Sequence, residues 1–266
     1  LPLLMLDAGL RMWRARQPRQ IPILLALLGL WLMQATFLIS DSGTALDGAL
    51  LMAMTLMLII GGRITPNFSM GWLRTRGLST EGIRIIPWLE KLVLGIMALT
   101  FLSVLVLPDP VTGTLALVAG IVVLVRILLW RGWRVARDPL LWILHLSLLW
   151  IPAGLWLLAA SRFNALPETV WVHATGLGAM GGLILGVISR VVLGHTGRAL
   201  ILPRGMVTAF VMIHLGALIR VVTGAGGMAW QLGISMSALL WMSAFGLFLV
   251  RYTGILMRPR VDGSPG

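Results

Sequence analysis

Residues 111–130 read VTGTLALVAGIVVLVRILLW, twenty residues with a single charge, Arg126. As a helix rising 1.5 Å per residue this stretch is about 30 Å long, the thickness of a bilayer's hydrocarbon core. Pro108-Asp109-Pro110 precedes it, and Arg131, Arg134 and Arg137 follow it. Both flanks therefore punctuate the run. Working outward, similar apolar stretches occupy roughly 21–39, 46–62, 86–107, 139–160, 170–193, 205–223 and 229–250. Each is near the length needed to cross a membrane. The expected fold is all-α: a polytopic transmembrane bundle of about eight spanning helices, with 1–266 forming a single transmembrane helical domain.

Composition agrees. Hydrophobic residues make up 58% of the 266-residue chain and charged residues 11%, with mean hydropathy +0.96. Soluble domains carry about 25% charged residues. A soluble enzyme, a disordered tail and a coiled coil are thereby excluded, and the lipid bilayer is the first partner. There is no cysteine. A disulfide, a thiolate zinc site, an iron–sulfur cluster and a covalently attached c-type haem are excluded within this chain.

The net charge of +12 is distributed by side. Arg11, Arg14, Arg16 and Arg19 precede the first segment; Arg63, Arg74, Arg76 and Arg84 follow the second; Arg131, Arg134 and Arg137 follow the fourth. Arg198 and Arg204 follow the sixth, and Arg251, Arg258 and Arg260 the eighth. The alternate connectors hold Asp41 with Asp47, then Asp109, then Arg162 with Glu168, then no charge. The positive-inside rule places both termini in the cytoplasm. The basic excess is thus a topology signal, and no nucleic-acid partner is expected. The chain opens at Leu1 within an apolar, arginine-bearing stretch, as expected for part of a longer or processed protein. Trp130, Trp133, Trp171 and Trp230, near segment ends, read as interfacial anchors.

Four histidines stand out in so apolar a chain: His145, His173, His195 and His214. Neutral imidazole is the commonest metal ligand, and ionisable groups inside a membrane are functional candidates. His145 lies ~9 Å and His214 ~14 Å from the cytoplasmic side by helical rise. His195 sits at the cytoplasmic surface, and His173 near the opposite end of the same segment. The four do not converge on one ion. Ala174, Gly178, Gly182 and Gly186 form a side-chain-free stripe that suits close helix packing, or a flat macrocycle. Gly194-His-Thr-Gly-Arg198 reads as a tight polar turn. Arg63 follows an apparent helix break at Gly61-Gly62. Arg63, Arg190 and Arg198, beside glycines, read as partners for buried carboxylates such as haem propionates. Arg220 lies near the periplasmic end of the seventh segment. Arg126 reads as snorkelling to headgroups. The acids all lie in loops or near helix ends, which weighs against an ion-coupled transporter.

Several strings resemble the NnrS family. They are Trp142-Ile-Leu-His145, His173-Ala-x-x-x-Gly-Ala-x-Gly, and above all Ser189-Arg190-x-x-Leu-Gly-His195-Thr-Gly-Arg198. Gly61-Gly62-Arg63-x-x-Pro66 and Arg258-Pro-Arg-x-Asp262-Gly263 agree as well. The resemblance implies a multi-pass protein of the bacterial inner (cytoplasmic) membrane that contains haem and copper. It implies a role in relieving nitrosative stress or in acting downstream of nitric-oxide sensing, without nitric-oxide reductase activity. Family members carry about four more helices upstream, with a His-x-His-Glu-Met string this chain lacks, so upstream helices are an implied partner. His145, His173 and His195 fall on family motif positions and are the implied metal ligands; His214 does not, and ranks lower. Arg63, Arg190, Arg198 and Arg220 would orient anionic groups of the cofactor. A five-coordinate haem beside apolar walls would take a small diatomic ligand such as nitric oxide. Two alternatives stand beside this reading: a small-molecule or metal transporter, and a quinone-linked haem oxidoreductase.

Overall fold

The computed structural model describes residues 2–14, 16 and 20–263; Leu1 and Arg19 lie outside the described residues. A short helix α1 (Pro2–Arg14) precedes eight helical segments long and apolar enough to cross a membrane. These are α2 (Ile21–Ser40), α3 (Gly43–Arg74), α4 (Pro87–Val106), α5 (Asp109–Leu128) and α6 (Pro139–Arg162), then a composite sixth span, then α9 (Met206–Gly224) and α10 (Trp230–Leu256). The sixth span comprises α7 (Thr169–His173), a π-helical stretch over Ala174–Gly181, and α8 (Gly182–His195). Among the described residues there is no strand. The protein is a multi-pass helical membrane protein.

Helix starts follow sequence chemistry. Proline stands at the first or second position of α2, α4, α5 and α6, where a missing N–H costs nothing. Asp138 caps α6 by accepting from the Leu140 N–H at 2.9 Å.

Consecutive spans pair along the chain, α2 with α3, α5 with α6, and α9 with α10. Helix α6 lies at the centre, touching α3, α5, both halves of the sixth span and α9. The glycine stripe faces it. A methyl group at Gly178 would overlap the Trp150 ring, and one at Gly182 would meet Ser147 and the His214 ring. At Gly186 it would come within 2.9 Å of Ile143. Lipid tails compete with any apolar side chain, so close backbone approach of this kind is what holds spans together. The stripe is a packing surface for α6.

Three sequence expectations are corrected. Gly61-Gly62 does not break α3, which runs on through Pro66 to Arg74. The two glycines instead admit neighbours, Leu148 at Gly61 and the Arg126 guanidinium at Gly62. Arg126 does not snorkel. It is 3% exposed, pairs with Glu90 through both nitrogen–oxygen contacts, one at 2.7 Å, and donates to the Leu58 carbonyl at 3.1 Å. Finally, Trp130 and Trp171 are buried in the core, whereas Trp133 and Trp230 are exposed as anchors should be.

The two ends of the bundle differ in how charge is held. At one end Arg162 bonds to Asp47, to Asp109 at 3.1 Å and to Glu168 at 2.9 Å, tying α3, α5 and the start of α7 to the end of α6. At the other, the arginine-rich loops are knit by backbone acceptors: Arg134 donates to the Ser79 and Glu81 carbonyls, each at 2.5 Å.

Candidate functional site

Each histidine has a distinct environment, and for His145, His173 and His214 the hydrogen-bond partner fixes which ring nitrogen carries the proton. A carbonyl only accepts and an indole N–H only donates.

His173 ends α7, just before the π-helical stretch. Its Nδ1 lies 2.5 Å from the Thr169 carbonyl oxygen, so Nδ1 carries the proton and donates. Nε2 then keeps its lone pair. That is the tautomer a metal-ligating histidine adopts when a carbonyl orients it. The ring lines a cavity of about 320 Å³ with Leu177, Arg220, Trp241 and Met242. Arg220 reaches this cavity from α9. Its guanidinium lies 5.2 Å from the Trp230 ring centroid, and its Nη1 is buried without a hydrogen-bond partner. The cavity thus pairs a free imidazole nitrogen with an unsatisfied cationic donor. The π-helical stretch begins at the next residue; such wider turns occur mostly as inserts within α-helices, frequently at functional sites.

His214, on α9, is in the opposite protonation arrangement. The Trp150 indole N–H donates to its Nδ1 at 3.0 Å. The proton of the neutral ring is therefore on Nε2, which is buried and has no partner. Such a ring is a hydrogen-bond donor and not a ligand.

His145, on α6, is 6% exposed. Its Nε2 is 3.0 Å from Ser69 Oγ, and that hydroxyl donates to the Thr65 carbonyl at 2.9 Å. The arrangement satisfying both contacts has His145 donating from Nε2, leaving a lone pair on the buried, unpartnered Nδ1. Gly132 packs against the ring, where a methyl would come within 2.6 Å of Nδ1. Trp130 stands edge-on at 6.5 Å. The site is tight and holds one imidazole.

His195 is exposed at the end of α8. Its turn is the docking point of the C-terminal tail. Gly197 has φ +69° and lies against the Asp262 carboxylate. The Val261 N–H donates to the Thr196 carbonyl at 3.3 Å. Asp262 in turn accepts from Arg260 at 2.6 and 2.9 Å, and these bonds push the Arg260 guanidinium pKa up. Two of the motifs picked out in the sequence are thereby one structural unit.

The candidate residues are only partly brought together. His173 and Arg220 share one cavity. His195 and Arg198 share the polar turn, where Arg198 donates to the Thr196 carbonyl at 3.4 Å. Arg190 stacks its guanidinium 4.2 Å from the Phe68 ring centroid of α3, and Arg63 is exposed on α3. His173 and His195 are twenty-two residues apart on one span, about 33 Å by helical rise. Among the described residues no three of His, Asp and Glu stand close enough together to hold a metal ion. A single axial bond to a haem fits His173, while a copper centre built from several imidazoles has no donor set in the described part of this chain. The pairing of His214 with Trp150 is not among the sequence expectations. The eight-residue-inward position of Trp150 from Trp142, two turns along one face of α6, was the available signal.

Comparison with known families matches residues 1–260 to the family described as NnrS protein. No curated protein and no solved structure matches the chain. With nearly the whole chain covered, this protein belongs to the NnrS family.

Proposed function

We propose that this protein is a haem-binding membrane protein of the bacterial inner membrane that takes a small diatomic ligand, nitric oxide, and so relieves nitrosative stress. One observation carries the reading: a histidine whose Nε2 lone pair is free lines the same cavity as a buried arginine donor without a partner. His173 would hold the iron, with the Thr169 carbonyl orienting the ring and raising its basicity. Arg220 would hold a propionate carboxylate by a charge-assisted hydrogen bond. Haem supplies an iron coordination position for the diatomic ligand. The apolar walls from Leu177, Trp241 and Met242 exclude water from that position. The copper expectation rests on the family resemblance and would need ligands from outside the described residues, such as upstream helices.

The test is an optical spectrum of the purified protein, expressed with ample haem precursor, before and after anaerobic addition of nitric oxide. A Soret band that shifts on addition supports the reading. A protein with no haem absorption, or a band indifferent to nitric oxide, overturns it.

A further inference from the structure

We propose that Arg162 and Glu168 are positioning residues for His173: their ion pair anchors the first turn of α7, and with it the Thr169 carbonyl that fixes the imidazole. The inference deepens the proposed function and rests on that reading for the use made of His173.

Helix α7 cannot hold itself. It has five residues, Thr169–His173, and a helix that short has too few hydrogen bonds to be stable alone. A π-helical stretch follows it. Glu168 stands at its N-cap position, yet its side chain makes no capping bond. That side chain turns instead to the end of α6, where its Oε1 accepts from Arg162 Nη2 at 2.9 Å.

Arg162 is anchored in turn. The same Nη2 donates to Asp47 of α3, whose side chain is 9% exposed. Nη1 donates to Asp109, the first residue of α5, at 3.1 Å. Asp109 is open to solvent, and a pair so placed holds little. The connection that counts therefore runs from Asp47 through Arg162 to Glu168, the residue before Thr169.

The opposite side of α7 is set by α9. A methyl group at Gly224 would come within 3.3 Å of Val170 and 3.9 Å of Thr169 Oγ1. Residues one turn apart share a helix face. One turn on from Thr169 is His173, and one turn back from Gly224 is Arg220. Consecutive spans run antiparallel, so the contact at Thr169 brings His173 and Arg220 level at their shared cavity. Gly224 thus sets how near α7 comes to α9, and Arg162 sets where its first turn stands. Releasing Glu168 lets that turn fray. The Thr169 carbonyl, 2.5 Å from His173 Nδ1, is then lost as acceptor, and the ring is free to take its other tautomer.

The experiment uses the full chain in phospholipid bilayers with carbon-13 and nitrogen-15 labelled histidine. Solid-state NMR at alkaline pH, where each imidazole is neutral, gives separate signals for a proton on Nδ1 and on Nε2. Only four rings contribute. The His173 signal, identified by its loss in His173→Asn, should show Nδ1 protonated. Glu168→Ala and Arg162→Gln should each turn it into a mixture of both tautomers. The His145 and His214 signals should stay as they are, which separates lost orientation from lost fold. Asp109→Asn should leave the His173 signal unchanged. Haem affinity, titrated on the same preparations, should fall roughly tenfold or more in Glu168→Ala, the scale of losing what orients a metal ligand. A His173 signal that stays Nδ1-protonated in both Glu168→Ala and Arg162→Gln, or a change that reaches His145 and His214 equally, overturns the proposal. A native protein that shows the Nδ1 signal, loses it in Glu168→Ala and never binds haem overturns the function proposed above and upholds the positioning.

Discussion

Trp150 and His214 are joined by one hydrogen bond, 3.0 Å from the indole nitrogen to Nδ1, and it decides what that imidazole can do. An indole can only donate, so the bond leaves His214 protonated on Nε2 and removes it from the set of metal ligands. His173 is held in the reverse sense by the Thr169 carbonyl.

Haem content should follow these two tautomers. His214→Leu is expected to keep the wild-type ratio of haem to protein in a pyridine haemochrome assay. His195→Ala should keep it as well, because His195 is exposed and lines none of the cavities described above. Loss of haem in either variant would show that the ligand had been misassigned.

Arg126 should depend on Glu90. Its side chain is 4% exposed against 31% for Glu90. Removing the carboxylate leaves a cation inside the bundle, which costs up to about 3 kcal/mol. Thermal unfolding in detergent should show Glu90→Ala destabilised, and the double variant Glu90→Leu with Arg126→Met less so. A double variant worse than the single one would contradict this account.

The C-terminal tail should be protected by its docking on the polar turn. Gly197→Ala must force a side chain into a left-handed backbone, costing about 1 kcal/mol, and would also press on Asp262. Limited trypsin digestion should cut after Arg260 faster in Gly197→Ala and in Asp262→Asn than in the native protein. Equal rates would mean that the tail is not held there.

Orientation is open to direct measurement because the native chain has no cysteine. Ser79→Cys, exposed in the α3–α4 loop, and Ala165→Cys, exposed between α6 and α7, each provide a single thiol. The arginine distribution predicts that Ser79→Cys is shielded from an impermeant maleimide in intact cells while Ala165→Cys is labelled. The reverse pattern would invert the bundle.

The spans were legible because bilayer thickness constrains helix length directly; the stretch read as 139–160 is Pro139–Arg162 in the structure. The glycine stripe was also legible as packing, since Gly178 and Gly182 can serve close approach only by lacking a side chain. The far end of α3 was not. Gly61-Gly62 looks like a break in one dimension, and only the arrival of Leu148 and Arg126 from other helices shows why a helix needs glycine there. Arg126 misled for the same reason: its partner Glu90 is thirty-six residues away on α4. The candidate site's parts were visible in the sequence, but not their meeting. His173 announced itself, and Arg220 was named, but their meeting in one cavity depends on how α7 and α9 pack. Tautomers were invisible, because they follow from contacts such as Ser69 to His145 that no spacing encodes.

Replacing the His173 side chain and then returning an imidazole from solution probes the proposed iron ligand most directly. His173→Gly, purified beside the native protein, is predicted to lose its Soret band and to regain it when haem and millimolar imidazole are added together. A variant that keeps its native spectrum, or a native protein that never binds haem, would contradict the assignment of His173.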